Sequence, residues 1–220
     1  MTKIKGLLLM DVDSTLIKEE VIDLLGEEVG LGEKIADITE RAMKGELDFK
    51  TALDKRVALL KGLPDSIFEK VLTRIHFNQG AKELVEELHQ RGYKVGVVSG
   101  GFHETVDRLA EQLGLDYVKA NRLEVKDGYL TGRTLGEIVT KEVKKDSLIN
   151  WAKENHLDLS DTIAMGDGAN DLPMIHQAGI GIAFCAKEIV RKEAPYHINE
   201  PDLYQVIKIL DEVKNETSNN

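Results

Sequence analysis

KGLLLMDVDSTL, residues 5–16, opens on an apolar run from Leu7 to Met10 and closes on two aspartates, Asp11 and Asp13. An apolar run without polar alternation is how a strand buried on both faces of a parallel sheet reads. Extended geometry points residues i and i+2 the same way, so the two carboxylates are expected on one side. Acids held that close repel, and they are tolerated when one is protonated or a cation lies between them. Hard oxygen donors favour Mg²⁺ over a transition metal, and ligands of open α/β sheets bind beyond the carboxyl ends of strands. A loop start followed by a helix N-cap also places two acids there, so this stretch alone leaves both readings open.

Working outward, Leu16, Val21, Leu24 and Leu25 recur at helical spacing over residues 16–30. Residues 33–44, 48–60 and 65–75 read as further helices, with breaks at Gly45 and at Gly62-Leu63-Pro64. Four helices after one strand are not βαβ alternation; they predict a helical lobe inserted into the chain. Alternation resumes with a helix over 80–91, a strand from Tyr93 to Val98 and a helix from His103 to Leu113. Tyr117–Ala120 reads as a short strand, and Asp127-Gly128 marks a hairpin within residues 121–134. Then come a helix over Lys141–Asn155, a strand over Thr162–Met165, a helix over Asp171–Ala178 and a last strand over Ile180–Phe184. A closing helix is expected over Leu203–Val213, with a frayed tail from Lys214. The fold class is α/β: a Rossmann-like parallel sheet with a helical insert and a small β-hairpin. The expected division is 1–15 plus 77–220 for the core and 16–76 for the insert.

Composition bounds the function. A chain of 220 residues that is 42% hydrophobic can bury a sizeable core. A net charge of −10 argues against nucleic acid or an anionic membrane as a partner. Cys185 is the only cysteine, which excludes an intrachain disulfide and fits a reduced, cytoplasmic setting. The apolar run begins too early for a signal peptide, and no 18-residue apolar stretch exists.

Three more stretches fall where the crevice of an open α/β sheet would put a site. Ser99-Gly100-Gly101 offers a hydroxyl and unhindered N–H groups at a helix mouth, which suits an anion such as phosphate. Lys144 begins a helix, where one lysine can neutralise phosphate charge, with Lys141 and Lys145 as close competitors. Gly166-Asp167-Gly168-Ala169-Asn170-Asp171 brings two more carboxylates and an amide. The combination is far more specific than any one part.

DVDST at 11–15, Ser99-Gly100-Gly101, Lys144 and GDGAND at 166–171 resemble, in order, the motifs of the haloacid-dehalogenase-like phosphohydrolases. The resemblance spans nearly the whole chain, and the insert sits where that family carries its cap. It implies a phosphatase with Asp11 as nucleophile and Asp13 as general acid and base. Mg²⁺ would be held by Asp11, the Asp13 carbonyl and Asp167, with Asp171 in support. Ser99, Gly100, Lys144 and Asn170 would hold the phosphoryl group. Glu20, Met43, Phe49 and Arg56 carry the resemblance into the insert. They imply an ammonium reader, two closing side chains and a carboxylate reader, hence O-phosphoserine as substrate in the last step of serine biosynthesis. Another small phosphomonoester, a phosphotransfer reaction, or a response-regulator-like binding module are the competing readings. A monomer or a homodimer is expected. Cys185 is expected as a buried thiol and Trp151 as a packing residue.

Overall fold

The computed structural model describes residues 3–43 and 46–218; the side chains of Met43, Thr217 and Ser218 lie outside the described residues. Its strands are β1 (Gly6–Met10), β2 (Tyr93–Phe102), β3 (Tyr117–Lys126), β4 (Tyr129–Leu135), β5 (Thr162–Gly166), β6 (Ile180–Phe184) and β7 (Tyr196–Ile198). They form one sheet in the order β4-β3-β2-β1-β5-β6-β7. All neighbours run parallel except β3 and β4. The order reverses at β1, whose Leu8 lies level with Val95 of β2 and Ile163 of β5. A sheet that winds outward both ways from a central strand leaves a crevice at its carboxyl edge.

Period two sorts the core. Leu8 and Met10 of β1 join Val95, Val97, Ile163, Met165 and Ile182 on one face. Leu7 and Leu9 join Val98 and Ala164 on the other. Both faces are therefore apolar, as the unbroken run in β1 requires. The second face is covered by α7 (Lys141–Glu154) and α8 (Leu172–Gln177), through Leu148, Ala152 and Met174. The first is covered by α5 (Ala81–Gln90), α6 (His103–Leu113) and α10 (Gln205–Ser218). The inserted helices are α1 (Val21–Glu28), α2 (Gly32–Met43), α3 (Phe49–Ala58) and α4 (Ile67–Leu72). Val21, Leu25, Ile35, Leu53, Val57 and Val71 of the insert belong to the same apolar cluster as Leu8 and Met10.

Several bounds differ from the sequence reading. The first inserted helix starts at Val21 rather than Leu16, because residues 12–16 close a wide turn in which the Ile17 N–H donates to the Val12 carbonyl at 3.0 Å. β2 continues through Ser99-Gly100-Gly101 to Phe102, with a register slip against β3. β3 is one strand from Tyr117 to Lys126, and Asp127 and Gly128 turn it with φ +54° and +80°. Two left-handed residues make the tight reversal whose twist matches a hairpin. β7 and a short helix α9 (Glu188–Glu193) follow the strand expected to be last. α10 runs through Ser218 instead of ending at Val213. Cys185 is exposed, not buried: the apolar run ends at Phe184, and Cys185 turns the chain with φ +43° while its N–H donates to the Ile198 carbonyl at 2.7 Å. Trp151 stacks on Tyr117 with ring centroids 4.9 Å apart. Among the described residues no helix is long and apolar enough to cross a membrane.

Asp116, just before β3, ties two parallel strands. It accepts from the Val95 N–H at 2.9 Å, Lys94 Nζ at 2.6 Å and His89 Nε2 at 2.8 Å. Burial opposes its ionisation, but the bonds from Lys94 and Val95 overcome that and hold its carboxyl below the usual range. A lowered folded pKa contributes stability that is full above the unfolded value and lost as pH falls through the folded one. Asp116→Asn is expected to cost about 1–2 kcal/mol at neutral pH. Urea unfolding as a function of pH checks this, the deficit shrinking as the wild-type carboxylate becomes protonated.

Candidate active site

The site forms where β1, β2 and β5 end. Asp11 follows β1 in extended conformation; its N–H donates to the Met165 carbonyl at 3.0 Å, and its Oδ1 accepts the Val12 N–H at 2.8 Å. Ser14 then takes φ +58°, ψ 9°, a left-handed residue that turns the chain back. Its hydroxyl donates to Glu20 Oε1 at 2.7 Å. Buried Asn78 fastens this turn from the other end of the insert, its Nδ2 donating to the Thr15 carbonyl at 2.7 Å and its N–H to that of Leu16 at 2.9 Å.

Lys144, on α7, is fully buried. Its Nζ lies 2.9 Å from Asp11 Oδ1 and 2.7 Å from Asp171 Oδ1. Burial disfavours its charge, yet the two acids more than offset this and raise its pKa. Asp171 also accepts the Gly168 N–H at 3.0 Å through Oδ2. Its approach to the strand end needs Gly166, since a Cβ there would sit 2.3 Å from the Asp171 carboxylate. Carboxylate oxygens of Asp11, Asp167 and Asp171 lie within 4.8 Å of one another. One ammonium does not balance that crowd. Burial and the Asp171 charge push Asp11 up to about 7, with Lys144 pulling the other way. Burial, Asp11 and Asp171 push Asp167 up to about 8. Asp13 is raised well above the carboxylate range by burial, Glu20 and Asp11, and its Oδ1 is buried without a hydrogen-bond partner.

A cleft of about 160 Å³ opens on these groups. Asp11, Asp13, Gly100, Gly101, Asp167 and Asn170 line its floor, while Glu20, Phe49, Leu53 and Arg56 come from the insert. Arg56 is half-buried, its Nε donating to the Ala52 carbonyl at 3.3 Å. Burial lowers its pKa, against the favourable charges of Asp23, Glu20 and Asp13. Ser99 is fully buried and accepts the Gly101 N–H at 2.9 Å. Neither Ser99, Lys144 nor Asp171 lines the cleft; they lie beneath it. The site expectation for the Met43 side chain lies outside the described residues.

Residues 8–176 match the family model described as haloacid dehalogenase-like hydrolase. The chain belongs to that family. It is 75% identical over 213 residues to a phosphoserine phosphatase of Streptococcus thermophilus, covering 97% of this chain and 99% of the relative. It is 58% identical to that of Lactococcus lactis, covering 95% and 97%. A solved structure described as a phospho-aspartyl intermediate analogue of phosphoserine phosphatase superposes with a TM-score of 0.88 at 48% identity, covering 94% of this chain and 99% of that one. A substrate-bound phosphoserine phosphatase complex superposes equally well at 47% identity, with the same coverage.

Three residues at or beside the cleft escaped the sequence reading. Lys187 lines the cleft, and its N–H donates to the Asp167 carbonyl at 3.1 Å. Asn121, buried on β3, donates from Nδ2 to the Gly100 carbonyl at 2.8 Å and accepts the Val139 N–H at 2.8 Å. Asn78 is the third. A lysine outside the motifs and an asparagine just past the strand expected over Tyr117–Ala120 carry no periodic signal, because what marks them is a contact made only in the fold.

Removing Lys144 leaves two buried carboxylates facing each other. Breaking a buried ion pair by deleting one partner costs about 3–5 kcal/mol. Lys144→Met, similar in length, is expected to lower the unfolding free energy by that amount at neutral pH, measured by urea denaturation with a metal chelator present.

Proposed function

We propose that this chain hydrolyses O-phosphoserine to serine and phosphate through an aspartyl-phosphate on Asp11. One observation carries the reading: Asp11 and Asp13 share a small cleft with an acid, Glu20, and a base, Arg56, supplied by the insert. A substrate with phosphate, ammonium and carboxylate groups matches that set, and Arg suits a carboxylate through its fork of donors. The names and identities of the relatives support the same substrate.

Asp11 attacks phosphorus, forming an Asp11–phosphorus bond as the bond to the serine oxygen breaks. The Val12 N–H and Lys144 fix its carboxylate plane through Oδ1. Asp13, held protonated by its surroundings, gives its proton to the departing serine oxygen. Water then attacks phosphorus, Asp13 takes back a proton, and phosphate leaves with Asp11 restored. Gly100 and Asn170 receive the phosphoryl oxygens, with Ser99 bracing the neighbouring Gly101 from below. Phe49 closes the cleft over Gly100 and helps exclude water.

The crowded carboxylates fit a divalent cation: the donors are all hard oxygens, and the raised pKa values of Asp11 and Asp167 mark a deficit of positive charge. Mg²⁺ suits such a set, held by Asp11, Asp167 and the Asp13 carbonyl, with Asp171 in support. When bound it screens the phosphoryl charge from the attacking carboxylate. Residues 16–76 act as a cap that admits and encloses substrate, over a core of 1–15 plus 77–220. A cytoplasmic location belongs to the same reading, as does a place at the last step of serine biosynthesis.

Phosphate release from L-phosphoserine, phosphothreonine, phosphoethanolamine and glycerol phosphate tests the proposal. Phosphoserine is expected to be preferred, with activity lost on adding EDTA and in Asp11→Asn. Arg56→Ala is expected to lower kcat/KM for phosphoserine by about 10- to 100-fold while barely changing that for phosphoethanolamine, which lacks the carboxylate. Full activity in Asp11→Asn would remove the mechanism, and a preference for glycerol phosphate would favour a different phosphomonoester.

A further inference from the structure

Helix α3 spans two glycines. At its first turn the Phe49 ring lies against Gly100, where an added Cβ would be 3.4 Å from the ring's Cζ. At its last turn Ala58 lies against Gly132 of β4, where an added Cβ would be 3.3 Å from the Ala58 Cα and carbonyl oxygen and 2.9 Å from Lys61 Cβ. Gly132 also has φ +83°, a conformation that L side chains rarely adopt. Leu53 and Arg56, between these ends, are the residues that α3 presents to the cleft together with Phe49.

The hairpin under Ala58 is no loose appendage. The Gly62 N–H donates to the Leu130 carbonyl at 2.8 Å, the Leu130 N–H to the Leu63 carbonyl at 2.8 Å, and the Asp65 N–H to the Gly128 carbonyl at 2.9 Å. These bonds fasten the segment after α3 to β4 and the turn before it. Leu123 pairs with Thr134, and two residues earlier on β3 stands Asn121, whose side chain holds the Gly100 carbonyl. A closed circuit results: Gly100, Asn121, β3, β4, Gly132, α3, Phe49 and back to Gly100. Arg56 rides on this circuit, on α3 between Phe49 and Ala58.

We propose that the β3–β4 hairpin, through its Gly132 contact with α3, is the positioning element that fixes Arg56 relative to Gly100 and so selects substrates bearing a carboxylate. The inference rests on the reading of Arg56 given above. A phosphomonoester held at Gly100 meets the guanidinium only if its carboxylate lies at the set distance. Thickening the contact at Gly132 pushes the far end of α3 away while the near end stays on Gly100. The guanidinium shifts; the phosphate end does not. Displacements of about 1 Å in a positioning group cost up to about a hundredfold.

The test compares kcat/KM for L-phosphoserine and O-phosphoethanolamine in one preparation each of wild type, Gly132→Ala and Gly132→Ala with Lys61→Gly. The ratio of the two constants is independent of how much protein is folded, so a destabilised variant still answers. Gly132→Ala is expected to lower the phosphoserine-to-phosphoethanolamine ratio by about 10- to 100-fold, mostly through KM for phosphoserine. Lys61→Gly removes the nearest contact and is expected to restore part of the ratio. Equal losses for both substrates would reduce the hairpin to a structural support and overturn the proposal. A wild-type enzyme with no preference between the two substrates, unaltered by Arg56→Ala, would overturn the reading of Arg56 itself, and the hairpin's role with it.

Discussion

One ammonium group, Lys144 Nζ, held between Asp11 and Asp171, is the contact on which the site depends. It joins the end of β1 to the loop after β5 by way of α7, so three separate parts of the chain meet at one atom. Ion groups of this kind add little net stability compared with apolar packing of the same volume, because taking the charges out of water is costly. Their effect is geometric: once Lys144 is buried, Asp11 and Asp171 have one place to be. Gly166 is a consequence, since any side chain there would occupy the space of the Asp171 carboxylate.

The raised pKa values of Asp11, Asp13 and Asp167 follow from the same crowding. Asp11, Asp13, Asp167 and Asp171 are brought together against burial and mutual repulsion, with Lys144 beneath the cleft and Arg56 and Lys187 along it. An acidic protein thus builds a phosphate site by concentrating still more acid. Such a site attracts cations first, and an anionic substrate is favoured only when cationic charge has been assembled beside it.

Much of this was readable in the sequence because both signals are short-range. The apolar run Leu7–Met10 marked the central strand, and the strands around Val95–Val98, Ile163–Met165 and Ile180–Phe184 followed from the same pattern. The acids and glycines at their ends gave the candidate cleft. What escaped depends on contacts made only in three dimensions. Ser14 takes a left-handed conformation that no propensity demands. β7 has three residues, too few to show a period. Cys185 follows an apolar strand, yet its backbone turns outward because its N–H is needed by Ile198. Lys144 was singled out for charge, but its place under the cleft, bonded to two acids, is set by α7 packing on Leu7 and Leu9 through Leu148.

The inserted helices share one apolar cluster with the face of the sheet that carries Leu8 and Met10. The insert is therefore not a portable module. Excising residues 16–76 would expose apolar side chains of that cluster, and the remnant would be prone to self-association. Exchange of this lobe between related chains carries a condition: the donor must bring the apolar lining of its underside along with the residues that read the substrate.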